Sequence, residues 1–144
     1  MFTISFFCFI IEMMYECSVE IVTRTDDDTG FFRARGMLSR TADGFSVRYG
    51  EDSDEVYLFA HADRFTMERR GECALACTFR KGVSTRMVLR SEGGEGALPV
   101  NTTAYSLLQS EEGYSVLLEY ELGDSAFLQK FRLNITVIIN SEEK

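Results

Sequence analysis

His61, the chain's single histidine, sets a tight limit on catalysis. A hydroxyl nucleophile needs a positioned base, and no serine stands in a Gly-x-Ser-x-Gly frame. His61 alternates with Tyr57 and Phe59, which suits a structural or surface side chain. Paired carboxylates could support hydrolysis. Here the acidic clusters, Asp26, Asp27 and Asp28 and then Glu51, Asp52, Asp54 and Glu55, fall where turns are expected. Aspartates in turns bond their own backbone and stay solvated. They also lack the alternating frame of a calcium loop. Cys73 and Cys77 share a strand face about 13 Å apart, too far for a disulfide, and one histidine cannot complete a zinc set with them. Together with Cys8 and Cys17 they read as buried or free thiols. The run Gly93-Gly94-Glu95-Gly96 has no following Lys-Ser/Thr and leads into a strand, so it is no phosphate cradle. No catalytic residue, metal site or cofactor is expected.

Polar residues that interrupt apolar faces are the better candidates. Phe65, Met67 and Arg69 share one face of an alternating run, and Val47, Tyr49 and Glu51 share another. If these faces look into a core, Arg69 and Glu51 point inward near strand ends. Gln129 interrupts the face formed by Phe127, Phe131, Leu133, Ile135, Val137 and Ile139. An inward arginine can hold a ligand carboxylate with two hydrogen bonds. Alternatively it pairs with Glu51 and plugs the end of the fold. One of the two is required, because an unpaired buried charge is costly. The pair is the favoured reading.

The elements that must position these residues repeat one pattern. Apolar and polar residues alternate over ten segments, at 15–25, 31–40, 45–51, 55–62, 65–70, 73–80, 83–90, 97–109, 114–122 and 126–139. Turns rich in Gly, Asp or Glu separate them. A period of two marks half-buried β-strands, and no helical period persists for three turns. Ten antiparallel strands leave exposed edges unless the sheet closes. The expected fold is all-β: a single closed, antiparallel up-and-down barrel of about ten strands, with a sandwich as runner-up. Gly36 suggests a bulge or sharp bend in the second strand. Inward Ala34, Gly36, Ala74, Ala76 and Ala104 would leave room for a pocket among larger side chains.

The chain of 144 residues suits one domain, and its net charge of −8 argues against nucleic acid and anionic membranes as partners. Residues 1–14 form an apolar extension, 15–140 the barrel and 141–144 a polar tail. The extension is too short to span a bilayer and lacks the basic start and cleavage site of a signal peptide. A true start at Met13 or Met14 is favoured over an edge strand or flap. A cytoplasmic location is expected.

Several short stretches, in order, carry a family likeness. They are Val47-Arg48-Tyr49-Gly50-Glu51, Phe65 through Glu72 (FTMERRGE), Phe79-Arg80-Lys81-Gly82, Leu98-Pro99-Val100-Asn101-Thr102 and Gly113 through Tyr120 (GYSVLLEY). On these the chain resembles the YwiB-like family of bacterial proteins of unknown function, from about residue 17 to 137. The resemblance implies a calycin-like barrel, related in shape to lipocalins. It adds weight to Tyr49, Glu51, Arg69, Gly71 and Thr102 as signature positions. Gly50 departs from the acidic residue often found there. The family brings no activity to carry over. The expectation is a non-enzymatic barrel for a small apolar or carboxylate-bearing ligand, with Arg69, Glu51, Tyr49, Gln129 and Thr102 as candidate binding residues. A filled barrel that binds a protein partner is the alternative, and an enzyme of unidentified type comes third.

Overall fold

The computed structural model describes residues 14–140; residues 1–13 of the apolar extension and the polar tail lie outside the described residues, and Met14, expected to end the extension, begins the first strand. Ten strands follow in sequence: β1 (Met14–Arg24), β2 (Thr29–Arg40), β3 (Phe45–Glu51), β4 (Asp54–Ala60), β5 (Phe65–Arg70), β6 (Ala74–Phe79), β7 (Ser84–Ser91), β8 (Gly94–Gln109), β9 (Gly113–Leu122) and β10 (Gln129–Ile139). Each pairs antiparallel with its sequence neighbour, and β1 pairs with β10 to close the barrel. Closure removes both sheet edges, as the alternation requires.

Alternate side chains from every strand fill the interior. Val19, Leu38, Val47, Leu58, Phe65, Phe79, Val100, Leu118 and Ile135 are all fully buried or nearly so. Aromatic rings knit this core together. Phe79 lies 4.7 Å from Tyr120, which stacks on Phe131 at 5.1 Å, and Phe45 lies 4.6 Å from Tyr114. Such tilted and offset contacts suit the ring quadrupoles.

The hairpins define two ends. Turns at 24–29, 51–54, 70–74, 91–94 and 122–129 lie at one, here called the upper end. Turns at 40–45, 60–65, 79–84 and 109–113 lie at the other.

Several expectations of side-chain direction need correction. Ala74 and Ala76 face outward, because Leu75, Cys77 and Phe79 occupy the inner positions of β6. Ala104 is also turned away: it pairs with outward Glu119 after a register shift between Thr102 and Ala104. The shift inserts Thr103, so inner positions change from even (Val100, Thr102) to odd (Tyr105, Leu107). The bulge therefore sits in β8. Gly36 runs in register with Cys17 and ends the β2–β3 ladder opposite Tyr49. A Cβ at Gly36 would come within 2.6 Å of the Arg48 carbonyl oxygen, so close backbone approach is its role. β10 begins at Gln129, three residues later than the periodicity suggests, because Asp124 Oδ1 accepts from the N–H groups of Ala126 and Phe127 and holds them in a turn. Phe127 is consequently 85% exposed rather than part of the inner face.

Candidate functional site

Arg69 stands on the inner face of β5 at the upper end, two residues beyond Met67. Its Nε donates to Asp54 Oδ2 at 2.8 Å and its Nη1 to Glu51 Oε1 at 3.0 Å. Asp52 lies 3.9 Å from Nη2. The three carboxylates surround the guanidinium and leave the cluster with a net negative charge. Asp54 is the anchor. Its side chain is only 5% exposed, and Oδ1 accepts the Glu72 N–H at 2.9 Å. The Arg69 hydrogen bond holds the Asp54 carboxyl below its ordinary value against the opposing effect of burial, and the Glu72 N–H adds to it. In the same way Asp54 raises Arg69. Arg69 thus ties the β3–β4 turn to β5, and Asp54 ties it to the turn before β6.

The Arg69–Glu51 pair is the arrangement favoured from sequence. Asp54 escapes sequence reasoning, because its acidic neighbours suggest a solvated turn. A signal is present all the same: Asp54, Val56, Leu58 and Ala60 alternate, and all four are buried. Tyr49 is buried beside Phe32, ring centres 5.4 Å apart, and burial pushes its phenol up to about 12. Thr102 is buried on β8 opposite Tyr120. Gln129 is exposed at the upper end of β10, five places from β5 in the ten-stranded order and so across the barrel from Arg69. These five residues do not form one cluster: Glu51 and Arg69 are joined, Tyr49 is near enough to feel both charges, and Thr102 and Gln129 stand apart. His61 lies past the end of β4, at the lower end, with Nδ1 3.2 Å from Asp43 Oδ1.

Two of the clefts at the upper end are bordered by large exposed side chains. One, of about 620 Å³, is lined by Arg69, Cys73, Leu75, Leu89, Ser91 and Glu95 among others. The second, about 400 Å³, is lined by Asp26, Asp27, Leu98, Leu122, Phe127 and Gln129 among others. Leu89, Leu98, Phe127 and Leu128 are exposed there despite their size.

Cys8 lies outside the described residues, and the described cysteines divide by environment. Cys73 is exposed at the first cleft, while Cys17 and Cys77 are buried and their thiols are pushed up to about 11 by desolvation. Thiolate is the reactive form. Brief alkylation of native protein at neutral pH is therefore expected to label Cys73, and Cys17 and Cys77 only after unfolding; peptide mapping that finds Cys77 labelled first would contradict the buried assignment.

Among known proteins, no curated protein matches the chain. A solved structure does: the ywiB protein from Bacillus subtilis superposes with a TM-score of 0.72 at 17% identity, over 90% of this chain and 93% of that one. At that identity the match speaks for the fold. A family model, described as a domain of unknown function, matches residues 17–135. With the strand order, the ywiB likeness and that match in agreement, the chain belongs to the DUF1934 family, the YwiB-like proteins.

Proposed function

We propose that this chain is a non-enzymatic, calycin-like binding barrel that takes a small apolar molecule at its upper end. The observation that carries this reading is the arc of exposed Leu89, Leu98, Phe127 and Leu128, on β7, β8 and the β9–β10 turn, beside two clefts and above a tightly packed lower half. Apolar side chains lining a concave opening are the usual ground of small-molecule recognition. The outer wall carries Glu20, Arg33, Glu119 and Arg132 in cross-strand pairs, the reverse of a lipid-facing barrel.

A carboxylate-bearing ligand fits less well. Arg69 already meets Asp54, Glu51 and Asp52; at the first cleft Arg90 lies 3.8 Å from Glu95, and Asp26 and Asp27 line the second. An incoming anion would have to displace an internal carboxylate at the first cleft, and would meet an acidic rim at the second.

Nile red, a neutral dye that brightens in apolar surroundings, tests the reading in a chain without tryptophan. Saturable brightening is expected, lost in Leu98→Glu and retained in Leu108→Glu, whose side chain is exposed on the outer wall. No saturable signal, or equal loss in both variants, would overturn the proposal.

A further inference from the structure

Beneath the upper clefts the inner faces of β7, β8 and β9 change character with depth. Leu98 lies opposite Met87; one step down, Val100 lies opposite both Thr85 and Leu122; one further, Thr102 lies opposite Tyr120. From Leu98 to Thr102 this is four residues, or about 13 Å. The upper part of the column is wholly apolar. Its lower part holds two buried hydroxyl oxygens: Thr102 Oγ1 has no hydrogen-bond partner among the described residues, and Thr85 Oγ1 has at most the weak thiol of Cys77 beside it. Thr102 is 3% exposed. The two are diagonal neighbours on adjacent strands, about 7 Å apart, and both stand on the inner face.

Unsatisfied buried hydroxyls are rare and call for an explanation. The groups around them are neutral. Cys77 faces Thr85, but a thiol is a weak partner, and burial keeps both Cys77 and Tyr120 protonated, at about 11 and about 12. A charged group brought here would lose its hydration with no counter-charge in return. The wall at this point can also yield. The β6–β7 ladder pairs only Ala74 with Arg90, Leu75 with Leu89 and Ala76 with Val88, so Thr85 and Met87 have no backbone pairing to β6. Met87, which lies between the cleft and Thr85, is a flexible side chain suited to moving aside.

We infer that the ligand of the upper end carries a neutral hydrogen-bonding head, such as an alcohol or amide, which seats on the Thr85 and Thr102 hydroxyls. Its apolar body runs past Met87 and Val100 to Leu98 and Leu122. The inference rests on the binding-barrel reading and adds the chemical class and depth of the ligand.

Octanol, octanoate and octylammonium, titrated separately and followed by amide and methyl NMR, test it. Octanol is expected to bind most tightly and to shift Thr85 and Thr102 as well as Leu98 and Leu122. The double variant Thr85→Val, Thr102→Val keeps the side-chain shape and is expected to bind octanol about tenfold more weakly, as loss of hydrogen bonds to a neutral group implies. Thermal melting checks that the variant is folded. Octanol binding that shifts Leu98 and Leu122 but is unchanged in the double variant would overturn the inference and leave the apolar site standing. Tighter binding of octanoate or octylammonium would overturn the neutral head. No shift with any of the three would overturn the inference, and joined to a failed dye titration it would overturn the apolar site too.

Discussion

Gly71→Ala is expected to be among the most damaging single substitutions at the upper end. Gly71 adopts φ +145°, a conformation that side chains with a Cβ rarely tolerate, and an added methyl would collide with the Asp54 carboxylate. The backbone strain alone costs about 1–3 kcal/mol. The collision adds to it, because Asp54 cannot retreat without releasing Arg69 and the Glu72 N–H. Urea unfolding should show the loss, and a change within about 0.5 kcal/mol would contradict this account. Asp54→Asn separates charge from space: it keeps the volume and removes the anion that Arg69 meets most closely. Its loss should exceed that of Glu51→Gln, whose carboxylate is more exposed.

The same cluster has a pH signature. In the folded chain the Asp54 carboxyl lies below its ordinary value of 3.8, chiefly through Arg69. Its contribution to stability is therefore complete above that ordinary value and is lost as the pH falls through the lowered one. Below the ordinary value, the wild-type chain should lose stability more steeply with acid than Asp54→Asn. Parallel acid curves would show that Asp54 carries no such linkage.

Phe79→Ala is expected to cost about 3–5 kcal/mol, the range for deleting a buried ring. Phe79 is fully buried between Phe65, at 6.2 Å, and Tyr120, at 4.7 Å. Neighbours held in a closed barrel can collapse only partly into the space. The resulting cavity would be apolar and dry, of the kind that takes up benzene. Benzene should therefore raise the melting temperature of the variant and leave that of the wild type unchanged. Phe127→Ala, at an exposed ring of the same size, should change stability by less than about 0.5 kcal/mol. Similar losses in the two variants would contradict the assignment of inside and outside.

Much of the barrel is legible from alternation alone. Strands such as β9, with Tyr114, Val116, Leu118 and Tyr120 inward, match their sequence pattern residue for residue. Periodicity misleads where one residue breaks it. Thr103 shifts the phase of β8, and the turn held by Asp124 removes Phe127 from β10. Each goes with a hydrogen bond to a particular neighbour, Thr103 Oγ1 donating to the Glu119 carbonyl and the Ala126 and Phe127 N–H groups to Asp124 Oδ1, and periodicity contains neither. The candidate site is legible in part. Glu51 and Arg69 stand out as charged residues on apolar faces. Asp54 is hidden among acidic neighbours, and Thr85 gives no signal, because threonine suits either face of a strand.

The all-β class, the ten strands and the closure that ten antiparallel strands demand all follow from the order of residues, because a period of two and the turn residues are local properties of the chain. Three outcomes do not follow from it: that Arg69 meets Asp54 as well as Glu51, that Ala104 faces out, and that Thr85 and Thr102 bring buried hydroxyls together on a diagonal of the inner face. These depend on register between strands, and register is set by packing across the closed barrel rather than within any one segment.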